Sequence, residues 1–510
     1  MKSGRTRSVP SRKPLRVDVA TALGVVGMLT KYLSFAAVVP AAAALGFGEP
    51  VSPFLLAGAL AFVGGALLER VSGPKDRLGS REAFLVVGLT WLVAAAFGAL
   101  PYLFSGEPQL RNPVAAYFEA MSGFTTTGAS VLTDIEALPR SLLLWRQLTQ
   151  WIGGMGIIVL ALAVLPRLRV GGRQLLEHEL PGPEVESLSS RVRDTARRLW
   201  LLYVALTALA ALAFAAVGWL GLDERMDLFN AVAHALTTLP TGGFSPESAG
   251  AAAFAPVTQW LIVLFMVVAG TNFALMYRAF VRRQPAAFVR DDEFRIYVGV
   301  LALAALVIGV ELVGSGTLAG ESAVRHAVFQ TVSLMTSTGY ASTDFSLWPA
   351  AAVMVLVGLM FVGGSAGSTS GSVKVVRHLL TGRMLRRELD QTVHPELVSI
   401  VRLNRSGVDE RTLRAVQTFV LIYIGVFVLG ALLLALDATR TGLALSPFEA
   451  VAAAATTIGN VGPGVGFAGP LGSFEPFSDL STGVMIGLMW LGRLELIPVI
   501  VLFTRAYWTR

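Results

Sequence analysis

The stretches VAAYFEAMSGFTTTG (114–128), FNAVAHALTTLPTGG (229–243), RHAVFQTVSLMTSTG (325–339) and FEAVAAAATTIGNVG (448–462) align without a gap. Alanine fills their third column (Ala116, Ala231, Ala327, Ala450) and glycine their last (Gly128, Gly243, Gly339, Gly462). Successive final glycines stand 96 to 123 residues apart, which makes an internal repeat of about 110 residues with loose spacing. Each copy reads as a short, moderately apolar helix that breaks into Thr, Ser and Gly, and each lies between two longer apolar runs. Four units of membrane helix, re-entrant half-helix, loop and membrane helix are what one chain needs to surround a pore by itself. Thr-Gly pairs also make ordinary surface turns, but four gapless copies at matching positions favour the re-entrant reading.

Composition points the same way. Hydrophobic residues make up 54% of the 510, charged residues 15%, and the mean hydropathy is +0.64, far from a soluble globular chain. Long apolar runs fall at 18–47, 51–69, 82–104, 141–166, 198–221, 254–281, 296–314, 350–380, 414–436 and 480–504. These predict about ten transmembrane helices in an all-α integral membrane protein, several interrupted by Gly or Pro. The first pair precedes the repeats, so the expected organisation is a cytoplasmic tail (1–17), an extra helix pair (18–81) and four pseudo-symmetric pore repeats. The repeats span 82–180, 181–290, 291–395 and 396–510. With both termini cytoplasmic, 33 of the 41 Lys and Arg fall on inner segments and five on outer ones. That places all four Thr/Gly loops on the outer side. The net charge of +7 is explained by this bias, and nucleic acid is not an expected partner. With no cysteine there is no disulfide or thiolate site.

Non-helical backbone at membrane depth survives only where protein or a water-filled cavity satisfies it. Four such loops around one axis offer carbonyl oxygens to a dehydrated cation in place of its water. Glycine suits the task because it adopts positive φ without a Cβ in the way. The half-helix before each loop points its partly negative C-terminal end at the centre, which also favours a cation. The expected ion-binding residues are Thr126, Thr127 and Gly128; Thr241, Gly242 and Gly243; Ser337, Thr338 and Gly339; and Asn460, Val461 and Gly462. The cation is expected at Thr127, Gly128, Gly243, Thr338, Gly339, Val461 and Gly462. Gly242 competes with Gly243 for the axis, and Gly459 with Gly462.

With these residues in view, nearly the whole chain resembles the Trk/Ktr/HKT potassium transporters, and among them the TrkH branch. FTTTGAS (124–130), TGGFS (241–245), STGY (337–340) and NVGPGVG (460–466) resemble that branch's four filters. WIGGMG (151–156) resembles a second signature, and GSTSGSVKVVR (367–377) its interrupted helix. The resemblance implies potassium uptake through a gated, channel-like pore in the cell membrane. It also implies a homodimer with one pore per subunit and a TrkA-like cytosolic partner. Nucleotide would act only through that partner, and potassium is the transported ion rather than a resident cofactor. Serine in place of the first filter glycine accompanies sodium transport in plant relatives; this chain has Gly128.

The run GGSAGSTSGS (363–372) holds four glycines and five hydroxyl residues inside an apolar span and cannot sustain a continuous helix. It reads as a flexible gate loop beneath the filter or as a small-residue packing surface. The candidate gate residues are Gly363, Gly364, Gly367, Ser368, Thr369, Ser370, Gly371, Lys374 and Arg493. Arg493 either pairs structurally with Glu495 or a carbonyl, or, as the resemblance implies, lies under the filter against the loop and repels cations. Arg146 is expected as an interfacial anchor beside Trp145, and Glu119 and His234, which share a column, as structural residues near the outer surface. No nucleotide-binding motif, catalytic carboxylate pair or His/Asp cluster occurs, so an enzyme is not expected. Coupling of potassium to protons or sodium, or membership of a potassium-pumping ATPase complex, are the alternative functions.

Overall fold

An apolar run of membrane length has to satisfy its own backbone hydrogen bonds, and the long runs are accordingly helical. The computed structural model describes residues 17–71, 79–163 and 187–509. The basic tail at 1–16, Lys75 and Arg77, the basic residues at 167–173 and Arg510 lie outside the described residues. The N-terminal pair consists of α1 (Val19–Leu33), which runs through a 3-10 turn into α2 (Val38–Phe47), and α3 (Ser52–Arg70). The first repeat is α4 (Ser80–Ser105), α5 (Pro113–Phe124) and α6 (Arg140–Ala163). The second is α7 (Ser187–Trp219), α8 (Leu228–Thr238), α9 (Pro256–Ala269) and α10 (Phe273–Met276), followed by the short α11 (Ala286–Arg290). The third is α12 (Asp292–Gly314), α13 (Gly320–Met335), α14 (Ala350–Val362) and α15 (Val375–Val393). A two-stranded hairpin, β1 (Arg402–Leu403) and β2 (Ser406–Gly407), lies at the start of the fourth repeat. That repeat is α16 (Glu410–Thr441), α17 (Pro447–Gly459), α18 (Asp479–Arg493) and α19 (Ile497–Ile500), with α20 (Arg505–Thr509) after it.

Among the described residues, six helices are long and apolar enough to cross a membrane, and two bent pairs add two more spans. The expected runs at 141–166 and 350–380 correspond to α6 and to the broken α14–α15. Three of the four second helices of the repeats are therefore discontinuous. The 254–281 run turns by 98° after Ala269, where the Asn272 side chain accepts from Ala274 N and Leu275 N and starts a new helix. The 480–504 run turns by 112°, with Glu495 and Leu496 both in the left-handed region (φ +56° and +54°). The 350–380 run opens at the glycine-rich stretch, as its composition predicts.

The layers are inverted relative to a water-soluble protein. The apolar windows of α12 and α16 are only 28% and 22% buried, so Leu303, Val310 and Leu421 face outward, where only lipid tolerates them. The short helices α5, α8, α13 and α17 carry hydroxyl and charged side chains yet bury all but their first turns. Three of the starts are capped: Asn112 caps α5, Asp227 caps α8, and Ser446 with Glu449 forms a reciprocal capping box on α17. Each second helix then packs against a short helix from behind.

That packing explains the adjacent glycines of WIGGMG, Gly153 and Gly154. A Cβ on Gly153 would overlap the Phe124 carbonyl at the end of α5, and one on Gly154 would overlap Pro240 after α8. In the fourth repeat, Gly492 lies the same way against the Ile458 carbonyl, which occupies the column of Phe124. Small residues let backbones approach where no hydrophobic force draws helices together. Gly153→Ala is expected to destabilise the protein by ~1–3 kcal/mol through overpacking. The thermal midpoint of the detergent-solubilised variant, followed by size-exclusion chromatography after heating, should fall; an unchanged midpoint contradicts this packing.

Candidate functional site

The four short helices end in the same backbone motif. Two residues before each final glycine, Thr126, Thr241, Ser337 and Asn460 adopt φ of +51°, +54°, +55° and +53°. The glycines follow at +85° (Gly128), +75° (Gly243), +81° (Gly339) and +112° (Gly462), with a residue of negative φ between. One hydrogen bond recurs in all four: Thr127 N to Ser122 O, Gly242 N to Thr237 O, Thr338 N to Ser333 O and Val461 N to Thr456 O, at 2.8 to 2.9 Å. Non-glycine residues rarely hold positive φ, so four in one column is a built feature rather than four turns.

The motifs meet edge to edge. A Cβ on Gly128 would overlap the Gly242 carbonyl, one on Gly243 the Thr338 carbonyl and one on Gly339 the Val461 carbonyl. One on Gly462 would come within 2.8 Å of the Thr127 carbonyl. Each repeat thus rests on the next, and the fourth returns to the first: the loops form a closed ring. Gly243 and Gly462 take the ring column, whereas Gly242 supplies a carbonyl and Gly459 ends α17 against Ser372 and Met360. The non-glycine loop residues, Gly242 and Gly462 are buried, Gly128, Gly243 and Gly339 are half-buried, and Asn460 Nδ2 donates to Thr127 Oγ1 at 3.0 Å, joining the fourth loop to the first.

Segment 363–374 lies across the C-terminal ends of three short helices. Thr369 Oγ1 donates to Leu239 O at 2.9 Å, Gly371 N donates to Ser337 Oγ at 2.6 Å, and Ser372 Oγ contacts Gly459 O at 3.2 Å. Gly363, Gly364, Ser368, Thr369, Ser370 and Gly371 are buried, while Gly367 is exposed. Positive φ at Gly363, Gly367, Ser372 and Lys374 makes the stretch irregular throughout. Arg493, only 3% exposed, donates through Nη1 to Thr369 O at 2.9 Å, and Lys374 Nζ donates to Ser370 O. Two cations therefore hold the segment under the partly negative ends of the short helices. The Nε and Nη2 of Arg493 make no hydrogen bond among the described residues.

Several expectations change. Glu495 pairs with Arg377 at 2.5 Å, not with Arg493. Arg146 is not an interfacial anchor: it is 1% exposed and pairs with the fully buried Glu119 at 2.5 Å. Its guanidinium lies 3.6 Å from the centre of the Phe244 ring and donates to Ser245 O at 3.0 Å. A buried charge needs such neutralisation, and Glu119 supplies it while accepting from Val131 N at 3.1 Å. His234, also fully buried, donates through Nδ1 to Asn230 O at 2.8 Å and shares a hydrogen bond with Ser245 Oγ through Nε2 at 3.2 Å.

Two residues were not singled out by the sequence. Gln150, on the face of α6 one turn beyond Arg146, donates to Gly242 O at 2.7 Å and accepts from Phe244 N at 3.1 Å. Glu293, at the start of α12, accepts from Ala366 N at 2.6 Å and Val376 N at 3.2 Å, so it ties the irregular segment to the foot of α15. The signal for both is a polar side chain in or beside an apolar run.

The chain is similar to known proteins over nearly its whole length. The TrkH family profile, described as a cation transport protein, matches residues 54–509. The Trk system potassium uptake protein TrkH of Escherichia coli K12 is 38% identical over 440 residues, covering 85% of this chain and 87% of that protein. TrkH of Vibrio parahaemolyticus is 37% identical over 494 residues, covering 95% and 98%. The crystal structure of the potassium transporter TrkH from Vibrio parahaemolyticus superposes with a TM-score of 0.86 at 33% identity, covering 96% of this chain and all of that one. A profile matched over nearly the whole length, together with relatives of this identity, establishes the assignment: the chain belongs to the TrkH family of cation transport proteins and is a membrane transporter, not an enzyme.

Proposed function

We propose that this protein takes up potassium as the membrane subunit of a Trk-type system, through a gated pore whose selectivity filter is the four-loop ring. The closed glycine-to-carbonyl ring is the observation that carries this reading. Alternating signs of φ turn successive carbonyls toward one side, the arrangement that replaces an ion's hydration shell. Thr126, Thr127 and Gly128, with Thr241 to Gly243, Ser337 to Gly339 and Asn460 to Gly462, are the proposed filter residues. Segment 363–374, with Lys374 and Arg493, is the proposed gate: it lies under the short helices and sets positive charge in the ion's path. The distribution of Lys and Arg supports cytoplasmic termini in a bacterial inner or plasma membrane. The names of the relatives support potassium as the ion and a Trk system as the setting; a homodimer and a TrkA-like cytosolic regulator complete the proposal, as the family resemblance of the sequence implies.

Potassium flux into proteoliposomes of the purified protein, with and without a proton or sodium gradient, tests the function. Flux that follows the potassium gradient alone supports a pore, and flux that requires the second gradient supports coupling. No potassium flux at all contradicts the proposal.

Gly128→Ser tests the filter. Its Cβ meets the Gly242 carbonyl at a backbone φ that side chains avoid, so the ring has to open. The potassium-over-sodium permeability ratio should fall about tenfold, or ~1.4 kcal/mol; an unchanged ratio in bilayer recordings contradicts the assignment.

Arg493→Ala, or deletion within 364–370, tests the gate. Either should raise partner-free potassium flux about tenfold, since a two-state gate separated by a few kcal/mol responds to losing one contact. The two changes should be non-additive, because both act on the Arg493–Thr369 contact. Wild-type flux in both folded variants makes the segment a packing element.

A further inference from the structure

The ring is four-fold in backbone but not in hydrogen bonding. Its four carbonyls belong to Thr127, Gly242, Thr338 and Val461, each lying against the glycine of the preceding repeat. Among the described residues, only the Gly242 carbonyl accepts a side-chain hydrogen bond, from Gln150 Nε2 at 2.7 Å. The same amide's oxygen takes Phe244 N at 3.1 Å, so Gln150 spans Gly242 to Phe244 like a clamp. Its side chain is fully buried and its neighbour one turn back, Arg146, holds Ser245 O and the Phe244 ring. The second loop is thus held in place by the first repeat. It is also the loop with glycine in the middle column, where Thr, Thr and Val stand in the others. A Cβ on Gly242 would overlap the Gln150 amide, so that glycine makes room for the clamp.

We propose that Gln150 is a specificity-determining positioning residue. By donating to the Gly242 carbonyl it weakens one of the four ring oxygens as an ion ligand and lowers the field the ring presents. The inference rests on the reading of the ring as the ion pathway. A weaker ligand field disfavours the smaller, more strongly hydrated sodium ion relative to potassium. A neutral carbonyl freed of its donor presents a stronger field. Removing the donor therefore shifts preference toward sodium, and an anchor with no role beyond packing has no such effect.

Two variants in proteoliposomes test this. Gln150→Met keeps the bulk and removes both hydrogen bonds. Gln150→Glu keeps an acceptor for Phe244 N and, when ionised, lacks the donor to Gly242. Sodium permeability relative to potassium should rise roughly three- to tenfold in both. Folding is checked by the elution profile and thermal midpoint of each variant. Unchanged ratios in folded variants overturn the proposal, as does a change in Met alone, which makes the Phe244 contact the only one that counts. Failure of both variants to fold assigns Gln150 a purely structural role and also overturns it. Absence of potassium flux in the unmodified protein, by contrast, removes the pore reading itself.

Discussion

The contact on which the rest of the structure depends is between backbones: the glycine of one repeat against the carbonyl of the next, four times around. No side chain fits there. The contact fixes glycine in one column and requires left-handed backbone two residues earlier, because the chain has to turn out of a helix within three residues. It also makes the four repeats interdependent. A displacement of any loop moves a carbonyl of its neighbour, so the ring behaves as one element rather than four.

Everything around the ring serves to keep irregular backbone inside a membrane. Ser122 and Ser333 donate to the outgoing carbonyls of Ala129 and Tyr340. Glu119 takes the amide of Val131, and Arg146 neutralises Glu119. An unpaired charge at that depth costs several kcal/mol, so the ion pair is the condition for having either residue there. The outer helices meet the opposite demand and are almost featureless apolar cylinders. The discontinuous second helices lie between these regimes. Their breaks at 270–272, 363–374 and 494–496 put polar backbone and the cations Arg493, Lys374 and Arg377 under the ring, where the short-helix ends attract positive charge.

How much of this was legible in the sequence follows from the range of each interaction. The ring glycines were legible because positive φ is a local demand that glycine meets, and a gapless alignment stacks the demand four times. The break at 363–372 was legible because four glycines and five hydroxyl residues oppose a helix on their own account. The long apolar runs were legible as spans for the same local reason, but their bends were not: Asn272 caps a helix inside a run that hydropathy alone reads as continuous. Partnerships across the fold were hidden. Arg146 looked like an anchor because Trp145 adjoins it, whereas its partner Glu119 lies 27 residues away. Gln150 holds a carbonyl 92 residues distant, and Glu293 an amide 73 residues distant. Pairings of this kind are made by tertiary packing and leave only a polar residue in an apolar run as a trace.

The central claim is that the four loops form one cation site rather than four packed turns. Crystals grown in rubidium, with anomalous diffraction collected at its absorption edge, test it most directly, since rubidium scatters where potassium binds. The account predicts an anomalous peak inside the ring, among the carbonyls of Thr127, Gly242, Thr338 and Val461. An ordered ring with no peak, or with rubidium bound only elsewhere in the protein, contradicts it.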